Sequence, residues 1–297
     1  MEKMKRSVSN PDHFHLLRHL KDVEDLRNSR DCGIESGQED RAEEIAQRIL
    51  SDANEKNAKI VILFTSKKRR ATESTNLIAE CLRKDKPGIR VIISPNPNLI
   101  DLDQGEYILP DDYKVGDNYE PLKVAWDAFV TETFDHGNPD YQFGDPIINS
   151  DGVAVYPALK GYFTRYGESR SDISLRIYKA IVEGYKIKER IFSSTILNIV
   201  LTHSLPYALI KNLAEVARKM KEENFTLAEG TLYKVCWDIY KEDKSGQYES
   251  QYGDFSEIKI DQMEDVKFIT MLQDEIKYLE NKHGETLDPK NKYGHSA

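Results

Sequence analysis

Two histidines and two arginines stand where apolar runs of the sequence stop. Leu17 leads into Arg18 and His19, and Leu201 and Thr202 lead into His203. A third run ends at Thr65 and Ser66, then passes through Lys67, Lys68, Arg69 and Arg70 into a helical pattern. In an open α/β sheet, ligands bind outside the carboxyl ends of the strands, where helix N-termini also favour anions. Three such ends side by side would put Arg18, His19, Arg70 and His203 around one hole. These residue types suit a phosphoryl group, because guanidinium forks bind its oxygens bidentately and an imidazole can attack phosphorus or stabilise the transferring group. Each residue alone has a plainer reading. A histidine at a strand end commonly bonds the backbone, and Lys67 to Arg70 taken alone is a solvated charge run, as Lys68 and Arg69 are expected to be.

The elements that must position these residues can be read from hydrophobic periodicity. Phe14 to Arg18, Lys59 to Ser66, Arg90 to Ser94 and Ile196 to Thr202 are nearly continuous apolar runs, the pattern of strands covered on both faces. Helical patterns follow the first, second and fourth. Ser36 and Glu39 predict a capping box for a helix that buries Ala42, Ile45, Ala46, Ile49 and Leu50. Arg69 onward carries Leu77, Ile78, Cys81 and Leu82, and Leu205 to Met220 has Pro206 in its first turn with Leu209, Leu213 and Val216 on one stripe. The alternation predicts an α/β fold, a three-layer α/β/α sandwich with a mostly parallel central sheet.

A further helix is expected over Asp172 to Arg190, a late edge strand over Gly230 to Tyr240, and an amphipathic helix over Val266 to Lys282 stopping at Gly284. The last presents its stripe to the core or to a second subunit in a homodimer. Residues 1–297 read as one domain; 108–166, rich in Pro, Gly, Asn, Asp and aromatic residues, read as a cap-like insertion over the site, and 246–297 as a C-terminal helical extension and tail. Tyr113, Tyr119, Trp126, Tyr141, Tyr156 and Tyr162 in the insertion could line a specificity pocket or form a small core of their own.

Composition bounds the partners. The 297 residues include 42 Lys plus Arg against 51 Asp plus Glu, a net charge of −9, which argues against an electrostatic grip on nucleic acid or an anionic membrane. A small anion in a locally basic pocket stays compatible with it. At 39% apolar and 31% charged residues the chain is of ordinary globular composition. The uncharged stretch Ile191 to Ile210 contains Asn198, His203 and Pro206 among several hydroxyl residues, a poor fit to lipid and a good one to a buried strand turning into a helix. Cys32, Cys81 and Cys236 are widely spaced, form no CxxC pair and read as reduced thiols; with no apolar export segment near the start, a cytoplasmic location is expected. Asp12, His13 and His15 lack further ligands at metal spacing, so no metal is expected.

Five short motifs, in order, resemble the histidine phosphatase superfamily, the phosphoglycerate mutase-like group. Leu17-Arg18-His19 sits where that family has Arg-His-Gly. Thr65 to Ala71 resembles its Thr-Ser-Pro-Leu-x-Arg-Ala and puts the second arginine on Arg70. Leu99 to Tyr107 resembles Leu-x-Glu-x-x-x-Gly-x-Trp and puts the general acid on Asp101, although Asp103 and Glu106 lie on the same segment. Gly167-Glu168-Ser169 with Asp172 and Arg176 resembles a Gly-Glu-Ser-x-x-Asp-x-x-x-Arg helix opening, and Val200 to His203 the strand carrying the second histidine. The chain departs from the pattern at Leu20 and Ser204, which replace glycines, at Lys21-Asp22, which replaces Glu-Ser or Glu-Thr, and at Asp25, which replaces Asn.

What the resemblance implies is a phosphomonoesterase. His19 would attack phosphorus to give a phosphohistidine, Arg18, Arg70 and, if protonated, His203 would hold the equatorial oxygens, and Asp101 would protonate the leaving oxygen. The substrate is then a small phosphorylated molecule, and no metal or organic cofactor is required. Glu168, Arg165, Arg170 and Ser204 are candidate substrate contacts; Arg165 and Arg170 reach a second anionic group or pair with Glu168 and Asp172. Two rival readings are a mutase of the same fold, which the segment Leu20 to Asn28 does not resemble, and a phosphate-ligand-binding regulatory protein that has lost turnover.

Overall fold

The computed structural model describes residues 13–23, 32–112, 119–147, 149, 151–153, 155–156, 159, 161–189, 196–223, 227, 230–243, 253, 255–259 and 266–286. The first strand, β1 (His13–Arg18), is followed by α1 (Glu39–Glu55), β2 (Ile60–Thr65), α2 (Arg69–Asp85) and β3 (Arg90–Pro95). A middle section holds the short strands β4 (Glu106–Tyr107) and β5 (Phe163–Arg165) around α3 (Glu120–Val130), which continues into a π turn at Thr131–Asp135. Then come α4 (Arg170–Glu189), β6 (Ile196–Thr202), α5 (Ser204–Glu223), α6 (Leu232–Asp243), β7 (Phe255–Lys259) and α7 (Val266–Thr286).

The central sheet has the order β3-β2-β6-β1-β7. Its first four strands are parallel and β7 closes the β1 edge antiparallel. Side chains alternate across a strand, so the near-continuous apolar runs supply both faces. Leu17, Val61, Leu63, Leu197, Ile199 and Leu201 face α1 and α2, while Leu16, Ile62 and Phe64 face the cluster built with α3 to α7. The expected three-layer α/β/α sandwich is thus formed. Because β6 lies between β2 and β1, the carboxyl ends of those three strands are neighbours: the His19 N–H donates to the Thr202 carbonyl at 3.0 Å and the Ser66 N–H to the Leu201 carbonyl at 3.3 Å.

Several local expectations are corrected. The segment Gly230 to Tyr240 is not an edge strand; it holds α6, in which Leu232, Val235, Cys236 and Ile239 follow helical spacing and join the core. Its β-branched and aromatic residues mimic strand composition, but burial of one stripe decides the conformation. The actual edge strand is β7. The Ser36 capping box is absent, because Gly37 turns the chain at φ +81° and α1 starts only after Gln38. The last helix runs through Gly284 to Thr286, past the stop expected at Gly284, and 287–297 lie outside the described residues. Tyr119 and Tyr141 in the 108–166 section are buried in the structure, and Tyr141 joins the main core with Phe129 and Phe143, so this section shares one core with the sheet. Tyr162 is exposed and Tyr113 lies outside the described residues. Among the described residues no helix is long and apolar enough to cross a membrane.

Trp237 of α6 ties the C-terminal helices to α4. It is fully buried, donates its indole N–H to the Ser174 hydroxyl at 2.9 Å and lies 5.8 Å under the Arg170 guanidinium. Trp237→Ala is expected to cost about 3–5 kcal/mol in urea unfolding, the range for deleting a buried large aromatic residue. Trp237→Phe, which keeps most of the apolar area, should cost clearly less.

Candidate active site

The three neighbouring strand ends bring His19, Ser66 and His203 together. The rings of His19 and His203 are 4.9 Å apart, centroid to centroid, and both histidines are buried. Arg70 reaches them from the first turn of α2. Its Nε–H donates to His203 Nδ1 at 3.2 Å, Nη1 to Cys32 Sγ at 3.4 Å and Nη2 to Asp101 Oδ2 at 3.0 Å. A second carboxylate, Asp22, stands 3.4 Å from Arg70 Nε and accepts from the Cys32 thiol at 3.3 Å. Arg18 is half-buried at the end of β1, one residue before His19.

These contacts assign protons. An arginine N–H can only donate, so His203 Nδ1 is unprotonated and Nε2 carries the hydrogen, 2.9 Å from the Ser66 hydroxyl. His19 Nδ1 lies 2.7 Å from the Leu20 carbonyl, which can only accept, so Nδ1 carries the proton. Burial pushes the His19 pKa down from 6.5 to about 4, with the Leu20 carbonyl and Asp22 opposing and Arg70 adding to the shift. Burial likewise holds His203 well below its ordinary value, helped by His19, Arg70 and Lys68. His203 is therefore neutral here, so the condition that it be protonated to hold an oxyanion is not met in this arrangement. For Arg70, burial lowers the pKa, but Asp101, Cys32 and Asp22 outweigh it and keep the guanidinium charged. Burial raises the Cys32 pKa, so it sits there as a thiol.

Asp101 is placed by an anchor far along the chain. Arg176 on α4 donates to the carbonyls of Asn98, Ile100 and Asp101 at 3.0, 3.1 and 3.3 Å. Glu168 holds Arg176 with two contacts of 2.6 Å and accepts from the Asp103 N–H at 3.0 Å. Thr202 adds a hydroxyl bond to the Leu99 carbonyl at 2.8 Å. The loop lies so close to the chain before α4 that Gly105, at φ +76°, has no room for a Cβ, which would fall on the Arg165 carbonyl. Gly167 is similarly blocked by the Asp103 carbonyl. Ser169, with N–H and hydroxyl both on Asp172 Oδ2 at 2.8 and 2.7 Å, starts α4.

The other candidate contacts fare differently. Glu168 is engaged by Arg176 and by the Asp103 N–H. Arg170 is 3% exposed, donates to the Thr133 carbonyl at 2.6 Å and covers Trp237. Arg165 pairs at the surface with Asp103 at 2.8 Å and Glu106 at 3.6 Å, which engages both alternative acids and leaves Asp101 as the carboxylate against Arg70. Ser204 opens α5 directly after His203. Asp25 lies outside the described residues. His15 pairs with Asp52 at 2.9 Å. Asp22, Cys32 and Ser66 were missed as site residues. Ser66 was legible inside its motif, and Asp22 as a carboxylate three residues after His19, but nothing local announces Cys32.

No protein-family model matches the chain, and no curated protein does. Similar solved structures include a mycobacterial glucosyl-3-phosphoglycerate phosphatase, 12% identical over 84% of this chain and 90% of that one with a TM-score of 0.43. A phosphoglycerate mutase from Bacillus anthracis is 12% identical over 91% and 99% of the two chains, with a TM-score of 0.43. A phosphoglycerate mutase from Plasmodium falciparum is 19% identical over 68% and 75%, with a TM-score of 0.29. These neighbours are members of the histidine phosphatase superfamily.

Two measurable consequences follow from this geometry. His19 and His203 stay neutral in the fold but take protons at about 6.5 when unfolded, so their contribution to stability is complete above that pH and is lost as pH falls towards 4. His19 alone should account for on the order of 3 kcal/mol of that loss. Urea titrations across this interval should show the slope, and a His19→Gln/His203→Gln double variant should flatten it. Separately, Arg176→Met leaves Glu168 half-buried and unpaired and should cost about 3–5 kcal/mol, the range for breaking a buried ion pair, in the same assay.

Proposed function

We propose that the protein is a phosphoric monoester hydrolase that works through a phosphohistidine on His19. The observation that carries this reading is the pair of neutral, buried histidines 4.9 Å apart at adjacent strand ends, with Arg70 bonded to both His203 and Asp101. With the Nδ1 proton of His19 on the Leu20 carbonyl, the lone pair is on Nε2. A pKa of about 4 keeps that lone pair available at neutral pH.

A phosphoryl group entering this space would take guanidinium hydrogen bonds from Arg70, with Arg18 adding a second fork and the helix N-termini of α2 and α5 adding partial positive charge. His203 contributes as a neutral hydrogen-bonding wall. Attack by His19 Nε2 forms the N–P bond as the ester P–O bond breaks, and Asp101 gives the leaving oxygen a proton. Water then attacks phosphorus, Asp101 takes back a proton, and phosphate leaves with His19 restored. The chemistry asks for no metal or organic cofactor.

Brief reaction with a phosphomonoester followed by alkaline quench should leave an acid-labile phosphoryl group on His19, and His19→Ala should abolish both label and phosphate release. Label on a Ser or Asp would refute the assignment. Asp101→Asn should slow hydrolysis of an alkyl phosphate by about a hundredfold or more, the usual range for lost general acid catalysis, and that of p-nitrophenyl phosphate much less. Equal losses with both substrates would remove Asp101 from the proton-donor role.

A further inference from the structure

Among the described residues, the charged groups that act on His19 include the Arg70 cation and the carboxylates of Asp22 and Asp101. On the reading above Asp101 carries a proton for the leaving group when substrate is bound, so its charge is accounted for. Asp22 has no such duty. Its carboxylate stands 3.4 Å from Arg70 Nε, whose proton is directed to His203, so what it brings to that nitrogen is chiefly negative charge.

Asp22 is also held in place. Lys21 to Val23 form a short ribbon with the chain at Gly33 to Glu35, through Val23 N–H to the Gly33 carbonyl at 3.1 Å and Glu35 N–H to the Lys21 carbonyl at 2.9 Å. That ribbon is fastened to α2, the helix that carries Arg70. The Ile34 N–H donates to Glu73 at 2.9 Å and the Leu20 N–H to the Ser74 hydroxyl at 3.0 Å. Cys32 completes the hold with its thiol on the Asp22 carboxylate. Lys21, the nearest lysine in sequence, is paired outward with Glu35 at 3.1 Å. An anion that binds Arg70 therefore meets a fixed negative charge on the same guanidinium.

We propose that Asp22 is a specificity-determining residue of this site, selecting a singly charged over a doubly charged phosphoryl group. The inference rests on the phosphoryl-transfer reading and deepens it: the favoured substrate form is the phosphomonoester monoanion. Repulsion from one fixed charge scales with the charge of the ligand. If Asp22 weakens a monoanion by a given factor, it weakens a dianion by the square of that factor. At a separation of about 6 Å and an effective dielectric constant of about 20, the value typical near a protein surface, that factor is at least tenfold.

The test compares two tetrahedral oxyanions, sulfate as dianion and perrhenate as monoanion, by calorimetric titration of the full chain at neutral pH. Wild type, Asp22→Asn and Asp22→Ser are titrated, with Arg70→Ala defining binding at this site and circular dichroism checking the fold of each. Both Asp22 variants should raise the ratio of sulfate to perrhenate affinity by about tenfold or more. If the two affinities rise or fall together and the ratio stays put, Asp22 only supports Arg70 and the proposal is overturned while the phosphoryl reading survives. If the wild type shows no Arg70-dependent binding of either anion, that reading fails and takes this proposal with it.

Discussion

Everything in the site is arranged around one buried cation. Arg70 lies between the layers with its side chain almost out of water, and such a charge persists only where acceptors surround it. The structure supplies four partners from three separate parts of the chain: His203 after β6, Asp101 from the loop before β4, and Asp22 and Cys32 from the ribbon after β1. Those three segments are distant in sequence, and the guanidinium is their meeting point. Its demand for partners sets the tautomer of His203 and places Asp101.

That demand explains why so much of the remaining architecture is devoted to carbonyl oxygens. The loop from Asn98 to Asp103 has little secondary structure beyond one short turn, so its backbone groups need partners from elsewhere. Arg176 supplies three of them at once, Thr202 another, and Glu168 takes the Asp103 N–H. Two glycines let the loop and the start of α4 touch. The motif around Gly167, Glu168, Ser169, Asp172 and Arg176 is thus a scaffold that holds the loop carrying Asp101.

Neutral histidines beside a charged arginine form a site that is preorganised at a cost in acid. Both imidazoles lose hydration on burial, and the Asp101 carboxylate, 3.8 Å from His203 Nδ1, faces an atom already accepting from Arg70. The same desolvation that keeps His19 unprotonated is what the nucleophilic role proposed for it requires.

The sequence alone determined the layers. The continuous apolar runs of β1, β2, β3 and β6 and the striped helices α1, α2 and α5 are local periodicities, and burial on both faces requires the sandwich they form. It also placed Arg18, His19, Arg70 and His203 at strand or helix ends, because the break in hydrophobicity is visible residue by residue. Composition misled at α6, where aromatic and β-branched residues imitate a strand, since only packing against α4 and α5 decides which stripe is buried. Tertiary structure alone decided the partners. That Arg170 covers Trp237 while Arg176 holds the Asp101 loop, and that Asp22 and Cys32 arrive beside Arg70, depends on β6 entering the sheet between β1 and β2. Such a long-range pairing brings together side chains that no local pattern connects.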